Sequence, residues 1–471
     1  MVKETRVELG ISYVTGYQYD DGDQIAQIAY PTGRTVEYSR DGVRRVEAIS
    51  TDINGVSQDI VSGIEYRGDN KMTKYTFGNG LVDDRSYDLQ GRLLSQTLGV
   101  IDSRDYSYDQ NSNMLSRTAT PQDSVYSYDA LDRVIGDQIN AGESFKYQYD
   151  LNHNRQSKTQ TTDLADSYVY ELNSNRLSRQ DTFTEGILPA TVSDRMYVYS
   201  DTNRIFRVID NGLLSAEYLY NDSGQRTRKV AYDNTVTPVT TVTTVYHYDT
   251  TGYLIAETNE LGIVIKDYIW NRGMAPVAQI DVANSIDIIH YLHTDHLKTP
   301  RFATTAIQQI SWRWEGEAFG ETADEIFSAE VNLRFPGQYY DRETGEHYNW
   351  NRYYRAGMGR YLTSDPVGLE GGLNTFGYVS GNPVRLIDPL GLRSACVENA
   401  LKRVEACRAI ADKADWLCTL SCKLIRINFL EEACTRNCQQ VNQDAHVICS
   451  RLFDDLYEQC AKEEEENECR P

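Results

Sequence analysis

Three passages decide how this chain folds: Tyr106-Ser107-Tyr108-Asp109-Gln110-Asn111-Ser112-Asn113-Met114, Tyr126-Ser127-Tyr128-Asp129-Ala130-Leu131-Asp132-Arg133-Val134 and Tyr147-Gln148-Tyr149-Asp150-Leu151-Asn152-His153-Asn154-Arg155. In each, two tyrosines flank one residue, an aspartate follows, and a polar turn leads into the next segment. Tyrosines two apart point to one face of a strand, and their spacing marks a strand with one packed side. The Tyr-Asp pair, or a close variant, recurs at Tyr87, Tyr108, Tyr128, Tyr149 and Tyr170 in steps of 21, 20, 21 and 21 residues. It continues at Tyr199, Tyr220 and Tyr248 in steps of 29, 21 and 28. Each unit reads as a β-hairpin of about 20 residues. One hairpin cannot bury its own face, so the units must stack or wind into a continuous sheet. A β-propeller blade needs roughly 40–50 residues, too many for this step. An ordinary all-β sandwich is the remaining competitor, and the short regular period favours the wound sheet.

Composition agrees. The 471 residues suffice for two or three domains and a large core. There are 34 tyrosines against 11 phenylalanines and 11 prolines. Tyrosine suits strands because its ring packs while its hydroxyl meets water. The net charge of −22 argues against binding phosphates, so no nucleic-acid partner is expected. No apolar run approaches the roughly 18–20 residues that span a bilayer. The start, Met1-Val2-Lys3-Glu4-Thr5, has no apolar stretch of the kind a signal peptide carries.

A second kind of sequence begins after Asp388-Pro389-Leu390-Gly391-Leu392. All nine cysteines lie in residues 393–471 and none before. The same five-residue pattern occurs 23 residues upstream, as Asp365-Pro366-Val367-Gly368-Leu369. Asp-Pro followed by glycine is a turn former, because proline fixes φ and glycine tolerates a positive φ. Two similar turns are the ordinary reading. If the two carboxylates are brought together, they cannot both ionise easily. One can then take a proton from water while the other donates one, as in aspartic proteases. A nearby arginine can hold the ionised partner or polarise the scissile carbonyl.

The cysteines at 396, 407, 418, 422, 434, 438, 449 and 460 have mirror-symmetric spacings of 11, 11, 4, 12, 4, 11 and 11. Offsets of 4 and 11 return to nearly the same face of an α-helix. The small residues Ala400, Ala411 and Ala414 share that stripe and permit close helix approach. The reading is an antiparallel helical hairpin turning near Asn428 and Phe429. Its disulfide ladder would pair Cys396 with Cys460, Cys407 with Cys449, Cys418 with Cys438 and Cys422 with Cys434. Eight cysteines allow 105 pairings, and this one uses the whole mirror. Cys469 is left over. Cysteines at regular intervals do not gather into one tetrahedral site, so no metal is expected, and no cofactor either. A disulfide ladder favours an oxidising destination. His446 is the sole histidine of this segment, and no nucleophile–base grouping accompanies it.

The repeats resemble those of the YD-repeat proteins of the RHS (rearrangement hotspot) family, related to the C component of insecticidal toxin complexes. Tyr291-Leu292-His293-Thr294-Asp295-His296-Leu297-Lys298-Thr299-Pro300-Arg301 resembles a family segment that usually has glycine where Lys298 stands, so the turn there is expected to differ. Arg334-Phe335-Pro336-Gly337-Gln338-Tyr339-Tyr340-Asp341, then Tyr348-Asn349-Trp350-Asn351-Arg352-Tyr353-Tyr354 and Gly359-Arg360-Tyr361-Leu362-Thr363-Ser364-Asp365-Pro366, are similar to the RHS-associated core. The resemblance covers about residues 10 to 392.

It implies a mainly β fold, with hairpins wound into a hollow shell that is complete or partial. The division expected is a YD-repeat shell over 1–270, an RHS-associated core with a C-terminal plug over 271–392, and the cysteine-rich helical hairpin over 393–471. The resemblance also implies self-cleavage just after Leu392, at the Leu392–Arg393 bond. Asp365 and Asp388 would be the acids and Arg352 their support, with Arg360 and Arg385 as weaker candidates. The partners implied are the chain's own C-terminal segment as cargo, a second shell chain or secretion-machine component, and an immunity protein. The freed segment would be a secreted effector, delivered by a specialised route to an oxidising compartment. Two other readings stay open: a cell-surface carbohydrate-binding or adhesion array, and a truncated remnant with an inert tail.

Overall fold

The computed structural model describes residues 2–140, 142–161, 164–171, 174–184, 195–271 and 275–392. The helical hairpin and disulfide ladder expected over 393–471 lie outside the described residues. Those described are antiparallel strand almost throughout, with short 3-10 turns at Ala356–Met358, Gly368–Gly371 and Val379–Gly381. Seventeen strands, from Val2–Glu8 to Leu177–Thr184, form a first sheet in which each strand pairs with the next in sequence. A second meander of twelve strands runs from Arg195–Tyr199 to Glu325–Ile326. Position 270/271 lies inside this second sheet, at the connection between Val264–Asn271 and Ala275–Ala283. A third sheet of four short strands comprises Tyr339–Asp341, Glu346–Asn349, Arg352–Arg355 and Arg360–Tyr361. No helix among the described residues is long and apolar enough to cross a membrane.

Each residue of the repeat has a physical task. The aspartate closes the turn: the Asp88, Asp109, Asp129 and Asp150 side chains accept the N–H of Arg92, Asn113, Arg133 and Asn154 at 2.8, 2.8, 3.0 and 2.8 Å. The residue before each of these is left-handed, with φ of 76° at Gly91, 65° at Ser112, 59° at Asp132 and 62° at His153. Polar residues that tolerate this conformation therefore dominate the turns. The tyrosine before each aspartate ties its strand to the preceding hairpin. Tyr87, Tyr108, Tyr128, Tyr149 and Tyr170 donate to the carbonyls of Met72, Leu93, Met114, Val134 and Arg155 at 2.7, 2.8, 2.6, 2.9 and 2.7 Å. The arginine reaches forward, Arg92 to the Asp109 carbonyl and Arg133 to the Asp150 carbonyl, each at 3.0 Å. Their guanidinium groups lie over the Tyr108 and Tyr149 rings, 4.8 and 4.7 Å from the centroids. Successive turns are thus linked at the repeat distance. Tyr128→Phe is expected to lower stability by about 1 kcal/mol through one lost hydrogen bond. The midpoint of chemical denaturation checks this, with exposed Tyr19→Phe as an unchanged control.

Lys298 does not alter its turn. It adopts a φ of 67° and donates its N–H to the Asp295 carbonyl at 3.0 Å, as glycine does elsewhere. The Asp295 side chain accepts the Thr299 N–H at 3.1 Å and pairs with Arg301 at 2.7 Å. Burial alone would raise this carboxyl, but Arg301 and His296 beside it hold it near about 2.

The early strands of the first sheet face the second sheet. Tyr30 donates to the Tyr268 carbonyl at 2.8 Å, and Arg34 pairs with Asp267 at 2.6 Å and Asp287 at 2.9 Å. The later strands close over Ala318, Phe319 and Val384. Residues between Val331 and Val379 pack on the second sheet. The segment after Trp314 is therefore held on the buried faces of both sheets, and it carries the two Asp-Pro motifs.

Candidate autoproteolytic site

The third sheet and its two following loops build the site. Asn349 and Arg352 face each other across a tight connection at the ends of Glu346–Asn349 and Arg352–Arg355. Both Asp-Pro motifs make the turn their sequence predicts. Gly368 donates to the Asp365 carbonyl at 3.0 Å and Gly391 to the Asp388 carbonyl at 3.4 Å, and both glycines have a φ of 64°. They differ in surroundings. A side chain at Gly368 would meet nothing, whereas a Cβ at Gly391 would lie 2.3 Å from the Asn349 carbonyl oxygen. The second motif is threaded through a slot that only glycine fits.

Arg352 joins the two turns. Its Nη2 lies 3.0 Å from Asp365 Oδ2 and 3.0 Å from Asp388 Oδ2. The three side chains are 0, 1 and 6 % exposed, so the contacts are made away from water. Arg352 Nη1 donates to the Thr375 carbonyl at 3.1 Å, and its Nε donates to the Gly391 carbonyl. The guanidinium carbon lies over the Tyr361 ring, 3.6 Å from its centroid. Tyr361 donates its hydroxyl to Asp388 Oδ2 at 2.7 Å. Burial first, and the Asp388 carboxylate second, push the Tyr361 hydroxyl well above its ordinary range, so it stays a donor. Asp388 Oδ1 accepts the Leu392 N–H at 2.9 Å. The peptide between Gly391 and Leu392 is thereby gripped at both ends, its carbonyl by Arg352 and its N–H by Asp388. Asn351 adds a grip one residue earlier, with its backbone N–H 3.2 Å and its side-chain amide 3.1 Å from the Leu390 carbonyl.

Asp365, Asp388, Arg352 and Leu392 are thus brought together, while Arg393 lies outside the described residues. Arg360 and Arg385 stand elsewhere. Arg360 donates to the Asn175 carbonyl at 2.5 Å and covers the Tyr170 and Phe376 rings. Arg385 bonds its backbone N–H to the Asn382 carbonyl and places its charge near Tyr128. Sequence reasoning passed over Tyr361 and Asn349, although both stand in the motif-bearing stretches. A tyrosine two residues from a hairpin end gave no sign that its hydroxyl meets a carboxylate 27 residues away. The carbonyl of Thr375 left no trace in side-chain identity at all.

No family model matches the chain. A stretch of 157 residues is 34% identical to Double-stranded DNA deaminase toxin A of Burkholderia cenocepacia, covering 30% of this chain and 11% of that protein. Another comparison, 44% identical over 70 residues, is with the probable deoxyribonuclease RhsA of Dickeya dadantii, covering 15% of this chain and 5% of that protein. The fold matches the crystal structure of the TcdB2-TccC3-Cdc42 complex with a TM-score of 0.68 and 19% identity, over 81% of this chain and 22% of that one. Over these stretches the chain is similar in sequence to RHS-type proteins, and it shares the fold of the toxin-complex structure. It spans about a tenth or less of the curated relatives named above. Its strands form the same kind of shell wall as the toxin-complex structure, and the first of these relatives is named as a toxin.

Proposed function

We propose that this chain cuts itself once, after Leu392, and frees residues 393–471 as a small disulfide-rich effector. The observation that carries the reading is one arginine nitrogen shared by Asp365 and Asp388, on a guanidinium that also grips the Gly391 carbonyl. In the reaction, water attacks the Leu392 carbonyl carbon. One carboxylate takes the water's proton, and the partner carboxyl gives a proton to the Arg393 nitrogen as the C–N bond breaks. The products are a carboxylate at Leu392 and an amine at Arg393. Arg352 neutralises the pair and orients the chain just before the bond, which is where most of the rate advantage of a preorganised site arises. The reaction is single-turnover, because the substrate is the chain itself.

The wall would enclose or retain the freed segment, with a second shell chain or a secretion-machine component completing it. The segment would reach an oxidising compartment, where its cysteines pair, and act there by binding rather than by catalysis. An immunity protein in the producing cell belongs to this reading.

Purified wild-type chain, denatured and separated by size, is expected to show a fragment of about 79 residues whose first residue is Arg393. A chain that stays whole after complete folding would overturn the reading.

A further inference from the structure

The loop that grips the Leu390 carbonyl is itself gripped from the second sheet. Arg204 belongs to the turn after Tyr199 and stands where Arg92 and Arg133 stand in their repeats. In those repeats the aspartate four residues earlier takes the arginine Nε, Asp88 and Asp129 each at 2.6 Å. Here Ser200 fills that place. Its hydroxyl still accepts the Arg204 N–H at 3.2 Å, so the turn closes, but it offers the guanidinium no charge. Arg204 keeps the repeat's forward link, with Nη1 2.9 Å from the Gly224 carbonyl of the next turn. Its remaining reach goes to the third sheet. Nη1 lies 3.2 Å from the Trp350 carbonyl and Nη2 lies 2.8 Å from Asn351 Oδ1.

That last contact fixes which way the Asn351 amide points. A guanidinium only donates, so the atom facing it is the oxygen. The amide nitrogen then faces the Leu390 carbonyl, 3.1 Å away. Trp350 beside it is locked from the same side. It has a φ of 45°, which is rare for a bulky residue and persists only where the surroundings hold it. Its indole N–H donates to the Ser223 carbonyl at 3.1 Å, and its ring covers Gly252 so closely that a Cβ there would collide with it. We infer that Arg204 is a positioning residue of the cleavage. It orients the Asn351 amide, which holds the Leu390 carbonyl two residues before the bond to be cut. The second sheet, and not the third alone, then aligns the chain. This inference rests on the self-cleavage reading and adds to it a residue from the repeat region.

The test uses the full chain, refolded from denaturant, with the rate of fragment appearance followed on denaturing gels. Arg204→Met keeps the stem and removes every side-chain donor, while Asn351→Ala removes the amide. Each is expected to slow cutting by about tenfold, the effect of one lost charge-assisted or alignment hydrogen bond. Because Arg204 acts through Asn351, the double variant is expected to cut within about twofold of Asn351→Ala alone. A purely structural arginine would instead give effects that multiply to about 100-fold, and that result would overturn the inference. Arg204→Met cutting at the wild-type rate would overturn it too. Should Arg204→Met fail to fold, Arg204→Lys gives the same cycle, since it keeps the charge but cannot hold the Gly224 carbonyl and the Asn351 oxygen on separate nitrogens. A wild type that is never cut would remove the self-cleavage reading itself, and this inference with it.

Discussion

Asp388→Asn and Asp365→Asn are each expected to leave the chain as one uncut polypeptide. General acid–base catalysis by a placed side chain contributes on the order of 10²–10⁴-fold, and in the proposed reaction each variant removes one of two such groups. The residual rate would fall below detection over the time in which wild type completes its single turnover. Asparagine keeps the volume of aspartate, so the effect is chemical rather than steric. The Asp388 variant should also lose stability. Asp388 receives Arg352, Tyr361 and the Leu392 N–H. An amide nitrogen placed among those donors leaves at least one unpaired, a penalty of about 1–3 kcal/mol. Thermal unfolding measured beside the gel assay separates the two consequences. Full-length chain with a native-like melt assigns the loss to chemistry. Either variant cutting at the wild-type rate would remove that aspartate from the reaction.

The repeat was legible because each of its residues performs a local task. A tyrosine that bonds to the strand 15 residues earlier, as Tyr149 does to Val134, imposes a fixed period on the sequence. An aspartate that caps a five-residue turn, as Asp129 does for Arg133, must sit at a fixed offset. Reading one turn therefore reads them all, and the Lys298 turn was misjudged only because glycine is sufficient at that position rather than necessary. The two Asp-Pro turns were legible for the same reason. Their meeting was not local. It depends on Arg352, which lies 13 and 36 residues away from them and is oriented by the Thr375 and Gly391 carbonyls. Backbone groups carry no residue-specific signal, and the Tyr361–Asp388 bond acts across a fold rather than along a strand. The layering of the segment after Trp314 onto both sheets was likewise invisible, because the apolar pattern of a strand does not say which partner covers it.

Arg226→Met is expected to cost about 3 kcal/mol, the low end for a broken buried pair, and to slow cutting as well, since it leaves the buried Asp341 carboxylate with one cation in place of two. Arg226 and Asp341 are both 0 % exposed and bonded to each other, and Lys229 lies 3.1 Å from the same carboxylate. The guanidinium stands among four tyrosine rings, 4.4 Å from Tyr348, 4.8 Å from Tyr246, 5.0 Å from Tyr218 and 5.4 Å from Tyr339. Burial alone would raise the Asp341 carboxyl, and Arg226 with Lys229 outweighs it and holds it down. With methionine at 226, the carboxylate keeps one cation in place of two, and the Tyr218, Tyr246 and Tyr348 faces lose the guanidinium while Tyr339 keeps Lys229. Asp341 ends the first strand of the third sheet, which pairs through Glu346–Asn349 to the strand that begins with Arg352. A loosened Asp341 therefore frees the strand that positions the Arg352 guanidinium. The double variant Arg226→Met, Asp341→Leu tests the linkage, because it removes both charges and fills the space with apolar volume. Denaturation midpoints are expected to recover in large part. If cutting recovers with them, the ion pair serves the fold alone and any tight packing there aligns Arg352. If stability returns while cutting stays slow, the register set by the Arg226–Asp341 bond itself is what carries Arg352 to the two aspartates.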